Sequence, residues 1–256
     1  MSDLNLEQKT KSSLKLVSAF FAKQNVNWWL EAGTALAAWR DKALMDWDHD
    51  IDIAIWYEDC PSLQEWDLFF AKTPFKVVIQ KNFPYLDNII QLRPIDRSNT
   101  NLIDVDIYLY KQLGDKAYMR WIHVPIGLFS PIKAMLIKSL AQIAKPQTPR
   151  WERLSQITPN WLSDSLFWGY LWVHIQTTSC VYHQFPKTYF SELREIKFYG
   201  ISVHIAGDTD NYLAHRYGPD WRQPDPQFNQ KGRWKLSGAR RKLPLRLLPM
   251  PQKLKN

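Results

Sequence analysis

The stretch Asp48-His49-Asp50-Ile51-Asp52-Ile53-Ala54-Ile55-Trp56 decides the fold of this 256-residue chain. From Asp50 to Ile53, polar and apolar side chains alternate. This period of two is typical of a strand with one buried face. On such a strand the carboxylates of Asp50 and Asp52 point to the same side, although like charges at this spacing repel. A hard divalent cation, Mg²⁺ or Mn²⁺, would relieve that repulsion. The stretch therefore predicts a half-buried strand that carries a pair of metal ligands.

A second alternating acidic segment follows downstream, Ile103-Asp104-Val105-Asp106-Ile107. Asp104 and Asp106 share one face of the predicted strand. If this strand neighbours the first one, it supplies a third carboxylate, and only one of the two aspartates needs to reach the metal.

Gly33-Thr34 is the third chemically informative segment. It follows a short apolar run over 26–30, predicted as a strand, and opens a helical pattern. A glycine at the start of a helix lets a phosphate approach the free backbone N–H groups. Carboxylates that hold a metal beside a turn that holds phosphate indicate phosphoryl or nucleotidyl transfer.

The rest of the pattern predicts a mixed architecture. Helices are predicted over 6–24, 61–72, 131–144 and 160–180, and strands over 26–30, 50–56, 75–80, 88–93 and 101–110. We therefore expect an α+β fold: a mixed sheet with flanking helices in the first half, and a helix-rich second half.

The net charge of +8 is concentrated at the C-terminal end. The segment 231–256 holds nine basic residues and no acid, so the remaining 24 basic and 25 acidic residues leave the body at −1. A basic footprint across the body is missing, and no nucleic acid is expected as a partner. The predicted organisation is a single catalytic domain over 1–230 and a basic tail over 231–256. The tail suits either an anionic membrane surface or a solvated extension.

Two further features bear on localisation. The polar first 13 residues do not resemble a secretory signal. The apolar run over 166–181 is interrupted by polar side chains, which favours a buried helix over a membrane span. We expect a cytoplasmic protein, peripheral on the membrane if the tail binds there.

Two separated motifs resemble the LicD/fukutin family of phosphotransferases, which has the nucleotidyltransferase fold. The first is Glu31-Ala32-Gly33-Thr34-Ala35-Leu36-Ala37-Ala38-Trp39-Arg40 with Asp46-Trp47-Asp48-His49-Asp50-Ile51-Asp52-Ile53. The second, similar to the closing segment of the family, is Phe198-Tyr199-Gly200 with the run from Asn211 to Pro224. The chain departs from the family pattern at Ala37, where glycine is usual, and at Asp46, where proline is usual.

The resemblance implies a reaction and a set of site residues. Family members move a phospho-alcohol from a CDP-alcohol, such as CDP-choline or CDP-ribitol, to a sugar hydroxyl of a glycan, which is often lipid-linked. Catalytic and metal-binding roles then fall on Asp50, Asp52 and Asp106, with Asp48 and Asp104 as secondary metal candidates. Asp106 would complete the metal site or take the proton of the attacking hydroxyl.

Donor phosphate binding is expected at Gly33, Thr34 and Arg40. For Arg40, the alternative is an ion pair with Asp41 or Asp46.

Two other functions are compatible with the same residues. One is a nucleotidyltransferase that acts on a small molecule or a protein and releases pyrophosphate. The other is a catalytically silent module that binds a glycan or a nucleotide. The retained carboxylates argue against the silent module, because a pocket without chemistry gains nothing from mutually repelling charges.

Overall fold

The stretch Asp50–Trp56 forms strand β2 of a seven-stranded mixed sheet. The computed structural model of the chain describes residues 3–79, 89–97, 100–125 and 178–224. The strands in these ranges are β1 (Trp28–Leu30), β2 (Asp50–Trp56), β3 (Phe75–Ile79), β4 (Ile89–Pro94), β5 (Asp104–Leu113), β6 (Lys116–Pro125), β7 (Thr178–Pro186), β8 (Arg194–Phe198) and β9 (Ile201–Ile205). The α-helices are α1 (Asp3–Gln24), α2 (Ala32–Leu36), α3 (Leu63–Phe70) and α4 (Thr209–Tyr217).

Strand β5 organises the sheet, whose order is β1-β2-β5-β4-β3. The β2–β5 pair is parallel, and the other pairs are antiparallel. The C-terminal end of β5 turns back into β6, which pairs in turn with β7. Strands β8 and β9 form a separate hairpin.

The register of β2 and β5 places the two acidic segments side by side. Asp50 lies opposite Asp104, and Asp52 lies opposite Asp106. Because side chains alternate along both strands, all four carboxylates stand on one face of the sheet. In the sequence, a third carboxylate was conditional on the two acidic strands being neighbours, and the structure meets that condition.

The other face of β2 and β5 belongs to the core. Ile51, Ile53 and Ile55 are completely buried. Trp28, the cross-strand partner of Ile55, stacks against Phe21 of α1 with ring centroids 6.0 Å apart. Phe20 of α1 packs on Trp66 of α3 at 4.3 Å. Helices α1 and α3 thus contribute the aromatic side chains that cover the isoleucine face.

A short helix carries the Gly33-Thr34 turn. Helix α2 spans only Ala32–Leu36 and continues as a π-helical turn over Ala37–Asp41. Its small side chains, including Ala35 and Ala38, are buried. Small residues let the helix approach β2 closely, which keeps its first turn beside the acidic face.

The second half of the chain differs from the predicted helix-rich arrangement where it is described. Residues 178–180, assigned by the sequence to the end of a helix, are the first residues of β7. A short apolar run cannot be told from a buried helix by periodicity alone, and β-formers such as Val181 and Tyr182 fit a strand. Residues 160–177 and the predicted helix over 131–144 lie outside the described residues, so a helix-rich second half is not established.

Strands β6, β8 and β9 and helix α4 were not predicted as elements by the sequence. Among the helices in the described ranges, none combines the length and the hydrophobicity that crossing a membrane requires.

The aromatic packing between α1 and α3 gives a direct test of the fold. Phe20→Ala removes a completely buried ring that contacts Phe21, Trp66, Phe69 and Phe70. We expect the free energy of unfolding to fall by about 3–5 kcal/mol in chemical denaturation. The control is Leu68→Ala in α3, whose side chain is 64% exposed and which should change stability by less than about 0.5 kcal/mol. Equal effects of the two variants would contradict this packing.

Candidate active site

Three carboxylates meet at the N-terminal ends of strands β2 and β5. Asp50, Asp52 and Asp106 each offer one oxygen, and these oxygens all lie within 4.8 Å of one another. The three side chains are partly buried. A single small cation can contact all three oxygens, and an all-oxygen donor set suits Mg²⁺ or Mn²⁺.

Burial and mutual repulsion both disfavour the charged form of the clustered carboxylates. Burial, followed by the charges of Asp50 and Asp48, raises the pKa of Asp52 well above its usual value. Burial raises the pKa of Asp106 as well, and the charge of Arg93 partly offsets this rise. A bound divalent cation would reverse the repulsion, so the residues present fit the metal that the sequence predicts.

Asp48 stands next to the three carboxylates. Burial raises its pKa to about 7, with added effects of the hydrogen bond and the charge of Asp50. The turn that carries Asp48 is fixed by its own N–H, which donates to the carbonyl of Met45 at 2.8 Å. Asp48 lies outside the group of three whose oxygens share a 4.8 Å range, and its metal-binding role stays a secondary prediction.

Gly33 brings the predicted phosphate turn against the carboxylates. A methyl group at this position would lie 3.0 Å from Oδ2 of Asp48 and 3.9 Å from Oδ2 of Asp52. A side chain here would be crowded against Asp48, and the glycine therefore lets the backbone of α2 lie close to the two acidic side chains. Its role in binding phosphate stays a prediction, with this geometry in its favour.

Thr34 has a visible structural task. Its buried hydroxyl oxygen accepts a hydrogen bond from the N–H of Asp52 at 2.8 Å. The carbonyl of the same residue, Asp52, accepts a hydrogen bond from the N–H of Glu31 at 2.9 Å. These two contacts tie the start of α2 to β2, and they position Asp52. A direct contact between Thr34 and phosphate stays a prediction.

Arg40 adopts the alternative arrangement considered for it. Its guanidinium forms a two-point ion pair with Asp41, at 2.8 and 2.7 Å, and donates to the carbonyl of Trp221 at 3.1 Å. In this conformation Arg40 fastens the π-helical turn to the segment after α4. Its predicted role as a phosphate ligand remains untested, and the observed contacts do not add to it.

The two aspartates of β5 have different surroundings. Asp104 pairs with two arginines, Arg97 at 2.7 Å and Arg93 at 3.3 Å. Asp106 accepts from Gln91 at 3.1 Å and pairs with Arg93 at 2.8 Å, while one of its oxygens faces Asp50 and Asp52. The geometry thus favours Asp106 over Asp104 as the third carboxylate of the cluster.

A buried charge pair that the sequence did not predict lies behind the cluster. Glu31, completely buried, accepts on Oε1 from Arg216 at 2.9 Å, from Tyr110 at 2.8 Å and from Tyr212 at 2.5 Å. Trp29 donates to the other oxygen at 3.3 Å. The available signal was an acidic residue at the end of the apolar run over 26–30, and Tyr212 and Arg216 four residues apart on one helix face. Only the fold shows that they meet.

Tyr212 also contacts the backbone of the α2 turn. The N–H of Ala32 donates to the Tyr212 hydroxyl at 3.3 Å. Ala32 has a φ of 47°, in the left-handed region that is uncommon for a residue with a side chain. Helix α4 therefore holds a strained residue directly before Gly33.

Comparison with a family model decides the assignment. Residues 25–127 match "LicD/FKTN/FKRP, nucleotidyltransferase domain". This segment is a LicD/FKTN/FKRP nucleotidyltransferase domain. It contains the α2 turn, β2 and β5, and hence all three clustered aspartates. The second motif, over 198–224, lies beyond the matched segment, and its resemblance stays a prediction.

Two solved structures are similar to the chain that carries this LicD-type domain. One is the lincosamide antibiotic adenylyltransferase LnuA, lincomycin-bound, with 11% identity, a TM-score of 0.38, and coverage of 79% of this chain and 83% of that one. The other is ANT(2")-Ia in complex with adenylyl-2"-tobramycin, with 12% identity, a TM-score of 0.29, and coverage of 63% and 96%. No curated protein sequence matches the chain. With both TM-scores below 0.5, the assignment rests on the family match.

The crowded carboxylates of the LicD-type domain predict an unusual dependence of stability on pH. Because the folded-state pKa of Asp48 lies near 7, against 3.8 for the ordinary group, the folded protein binds more protons than the unfolded chain between these values. This contribution to stability is present at low pH and is lost as pH rises through about 7. Asp48→Asn should therefore flatten the fall in melting temperature between about pH 4 and pH 7 in metal-free protein. Parallel pH profiles of wild type and variant would contradict the raised pKa.

The Glu31–Arg216 pair predicts a large and specific coupling. Arg216→Met leaves the carboxylate of Glu31 buried without its counter-charge, which costs about 3–5 kcal/mol of unfolding free energy. In the double variant with Glu31→Gln, part of that loss should return, because no charge is left buried alone. Chemical denaturation of both single variants and the double variant measures the coupling, and strictly additive losses would exclude a direct pair.

Proposed function

We propose that the chain is a metal-dependent transferase that moves a phospho-alcohol from a CDP-alcohol to a sugar hydroxyl of a cell-surface glycan. The observation that carries the proposal is the meeting of Asp50, Asp52 and Asp106 within 4.8 Å, inside a LicD/FKTN/FKRP nucleotidyltransferase domain. The family supports a transferase, and the three carboxylates support phosphate chemistry. The CDP-alcohol donor and the glycan acceptor come from the resemblance of the two motifs.

Asp50, Asp52 and Asp106 would hold Mg²⁺ or Mn²⁺ in this reaction. When bound there, the cation offsets the charge that develops on the donor phosphates. The contacts of Asp52 with Glu31 and Thr34 fix its backbone, so the β2 carboxylates are oriented before substrate arrives. Gly33 would let a donor phosphate approach the backbone of α2, because a side chain at this position would be crowded against Asp48.

Asp106 has two possible tasks that its surroundings support. Gln91 and Arg93 both donate to its carboxylate, and such contacts favour the ionised form. An ionised Asp106 can bind the cation, and it can also accept the proton of the attacking sugar hydroxyl.

We extend the proposal to the rest of the chain. Residues 1–230 would form one catalytic domain, in which α4 braces the α2 turn through Tyr212. The basic tail over 231–256 would bring the domain to an anionic membrane surface, where a lipid-linked glycan acceptor is concentrated. Leucines interspersed among the basic residues of the tail suit such an interface.

A nucleotidyltransferase is the second candidate, because the matched model describes a nucleotidyltransferase domain. In that case a nucleotide, and not a phospho-alcohol, would pass to a small molecule or a protein. The two reactions share the metal site and differ in the bond that breaks, so their products separate them. A silent binding module would turn over neither kind of donor.

The products of a donor panel test the proposal. Purified protein with Mg²⁺ should release CMP from CDP-choline, CDP-ribitol or a related CDP-alcohol, detected by chromatography. Asp52→Asn, which removes one carboxylate and keeps its shape, is the matched control and should lower CMP release at least about a hundredfold, since metal-assisted stabilisation is worth several kcal/mol. Pyrophosphate release from nucleoside triphosphates would instead support the nucleotidyltransferase. No turnover with any donor would leave the binding module.

The two aspartates of β5 provide an internal comparison. Asp106→Asn should abolish CMP release, because its oxygen belongs to the group of three. Asp104→Asn should retain most of the activity, since Asp104 is occupied by Arg97 and Arg93. Rates at saturating Mg²⁺ measure both. If Asp104→Asn were inactive and Asp106→Asn active, the metal would lie two residues nearer the start of β5 than proposed.

A further inference from the structure

Arg93 places a partly buried guanidinium against the proposed metal site. It belongs to β4, in which Gln91 lies opposite Asp106 and Leu92 lies opposite Val105. Because side chains alternate, Arg93 stands on the same face of the sheet as Gln91 and the aspartates of β5. The sequence gives no sign of such a role for Arg93, since an isolated arginine in a predicted strand carries no signal of its own.

The contacts of Arg93 join it to the three clustered aspartates. One terminal nitrogen, Nη2, lies 2.8 Å from Oδ1 of Asp106. The other, Nη1, lies 3.3 Å from Asp104, and among the described residues it is a buried nitrogen that makes no hydrogen bond. The side chain is only 16% exposed. Arg93 therefore holds a metal-ligand candidate with one nitrogen and keeps donor capacity on the other.

The charge on this face explains what that capacity suits. Five carboxylates lie on or beside it: Asp48, Asp50, Asp52, Asp104 and Asp106. A divalent cation at Asp50, Asp52 and Asp106 would compete with Arg93 for the carboxylate of Asp106, and a guanidinium released from that carboxylate needs another anion. A phosphate oxygen meets that need, and the planar fork of arginine matches two phosphate oxygens.

Arg40, the arginine that the sequence suggested for the phosphate, is already engaged. It forms a two-point pair with Asp41 and donates to the carbonyl of Trp221. Moving it to a phosphate would break three hydrogen bonds, whereas Arg93 already lies beside a candidate metal ligand.

We propose that Arg93 is the donor-phosphate-binding arginine of this site. In the free protein its guanidinium pairs with Asp106. With metal and donor bound, it donates to the diphosphate of the nucleotide. This inference rests on the proposed function for its metal site, and it assigns to the chain a subsite for a nucleoside diphosphate group on the β4 side of the three aspartates.

A purely structural role for Arg93 makes a different prediction. If Arg93 only orients Asp106, its removal should weaken binding of the cation itself, and nucleotide binding would fall as a consequence. If Arg93 binds phosphate, cation binding should survive, because removing a positive charge does not weaken the attraction of the carboxylates for a metal. Two separate affinities therefore distinguish the roles.

The experiment measures Mn²⁺ binding alone, and then CDP binding at saturating Mn²⁺, by isothermal titration calorimetry. For Arg93→Gln we expect CDP affinity to fall about tenfold or more, the loss that a charge-assisted hydrogen bond implies. The affinity for Mn²⁺ should stay within about threefold of wild type or become tighter. Arg93→Lys keeps the positive charge and loses the planar guanidinium. Its affinity for CDP should lie between those of wild type and Arg93→Gln.

Arg97→Gln is the matched control. Arg97 pairs with Asp104, and its side chain is 68% exposed. Because the variant loses only a solvent-exposed ion pair, its affinities for Mn²⁺ and for CDP should stay within about threefold of wild type. Circular dichroism checks that each variant is folded, and Arg93→Lys carries the test if Arg93→Gln does not fold.

Three outcomes would overturn the inference, and they are distinguishable. Unchanged CDP affinity in Arg93→Gln removes Arg93 from the phosphate subsite and leaves the proposed function standing. A parallel loss of Mn²⁺ and CDP affinity makes Arg93 a positioning residue for Asp106. Failure of the wild type to bind CDP with Mn²⁺ contradicts the proposed function itself, and the inference falls with it.

Discussion

The parallel pairing of β2 and β5 forces like charges together, and the rest of the site depends on that constraint. In this register Asp50 lies opposite Asp104, and Asp52 lies opposite Asp106, so four carboxylates share one face. The apolar residues between them, such as Ile51 and Ile53, are completely buried on the other face. A slip of one residue would expose these isoleucines and bury the acids in the core, so the core itself enforces the repulsion. A fold that maintains such a cluster provides a place where a cation stabilises the protein and the reaction alike.

A buried pair of opposite charges links the segment that matches the family model to a helix beyond it. Glu31 belongs to the segment that matches the family model, whereas Arg216 and Tyr212 lie in α4, outside that segment. Their contacts reach the backbone of Ala32, immediately before Gly33. The turn that is expected to meet phosphate is thus supported by residues far away in the sequence. Unlike the three clustered aspartates, this pair is neutralised within the protein and needs no ligand.

Part of the candidate site could be predicted from the sequence. Strand β2 follows from period-two alternation, and the preference for Asp106 over Asp104 follows from the motif resemblance, whereas the pairing of the two acidic strands was a condition that only the fold meets. Contacts that depend on tertiary packing, such as Glu31 with Arg216 or Arg93 with Asp106, leave no periodic trace. Residues 178–180 show the limit of periodicity, because they were assigned to the end of a predicted helix and form the start of β7. Arg40 pairs locally with its neighbour Asp41, a contact that the sequence offered only as an alternative, and its role at phosphate stays a prediction.

Diffraction from crystals soaked in Mn²⁺ tests the central claim most directly. The claim is that register alone creates a cation site from Asp50, Asp52 and Asp106. Anomalous difference density should show one ion in contact with an oxygen of each of these three side chains, at roughly 2.0–2.3 Å, as hard divalent cations bind oxygen. The same soak of Asp52→Asn crystals should show no ion at that place. An ion bound elsewhere, or wild-type crystals without an ion between the three carboxylates, would contradict the account.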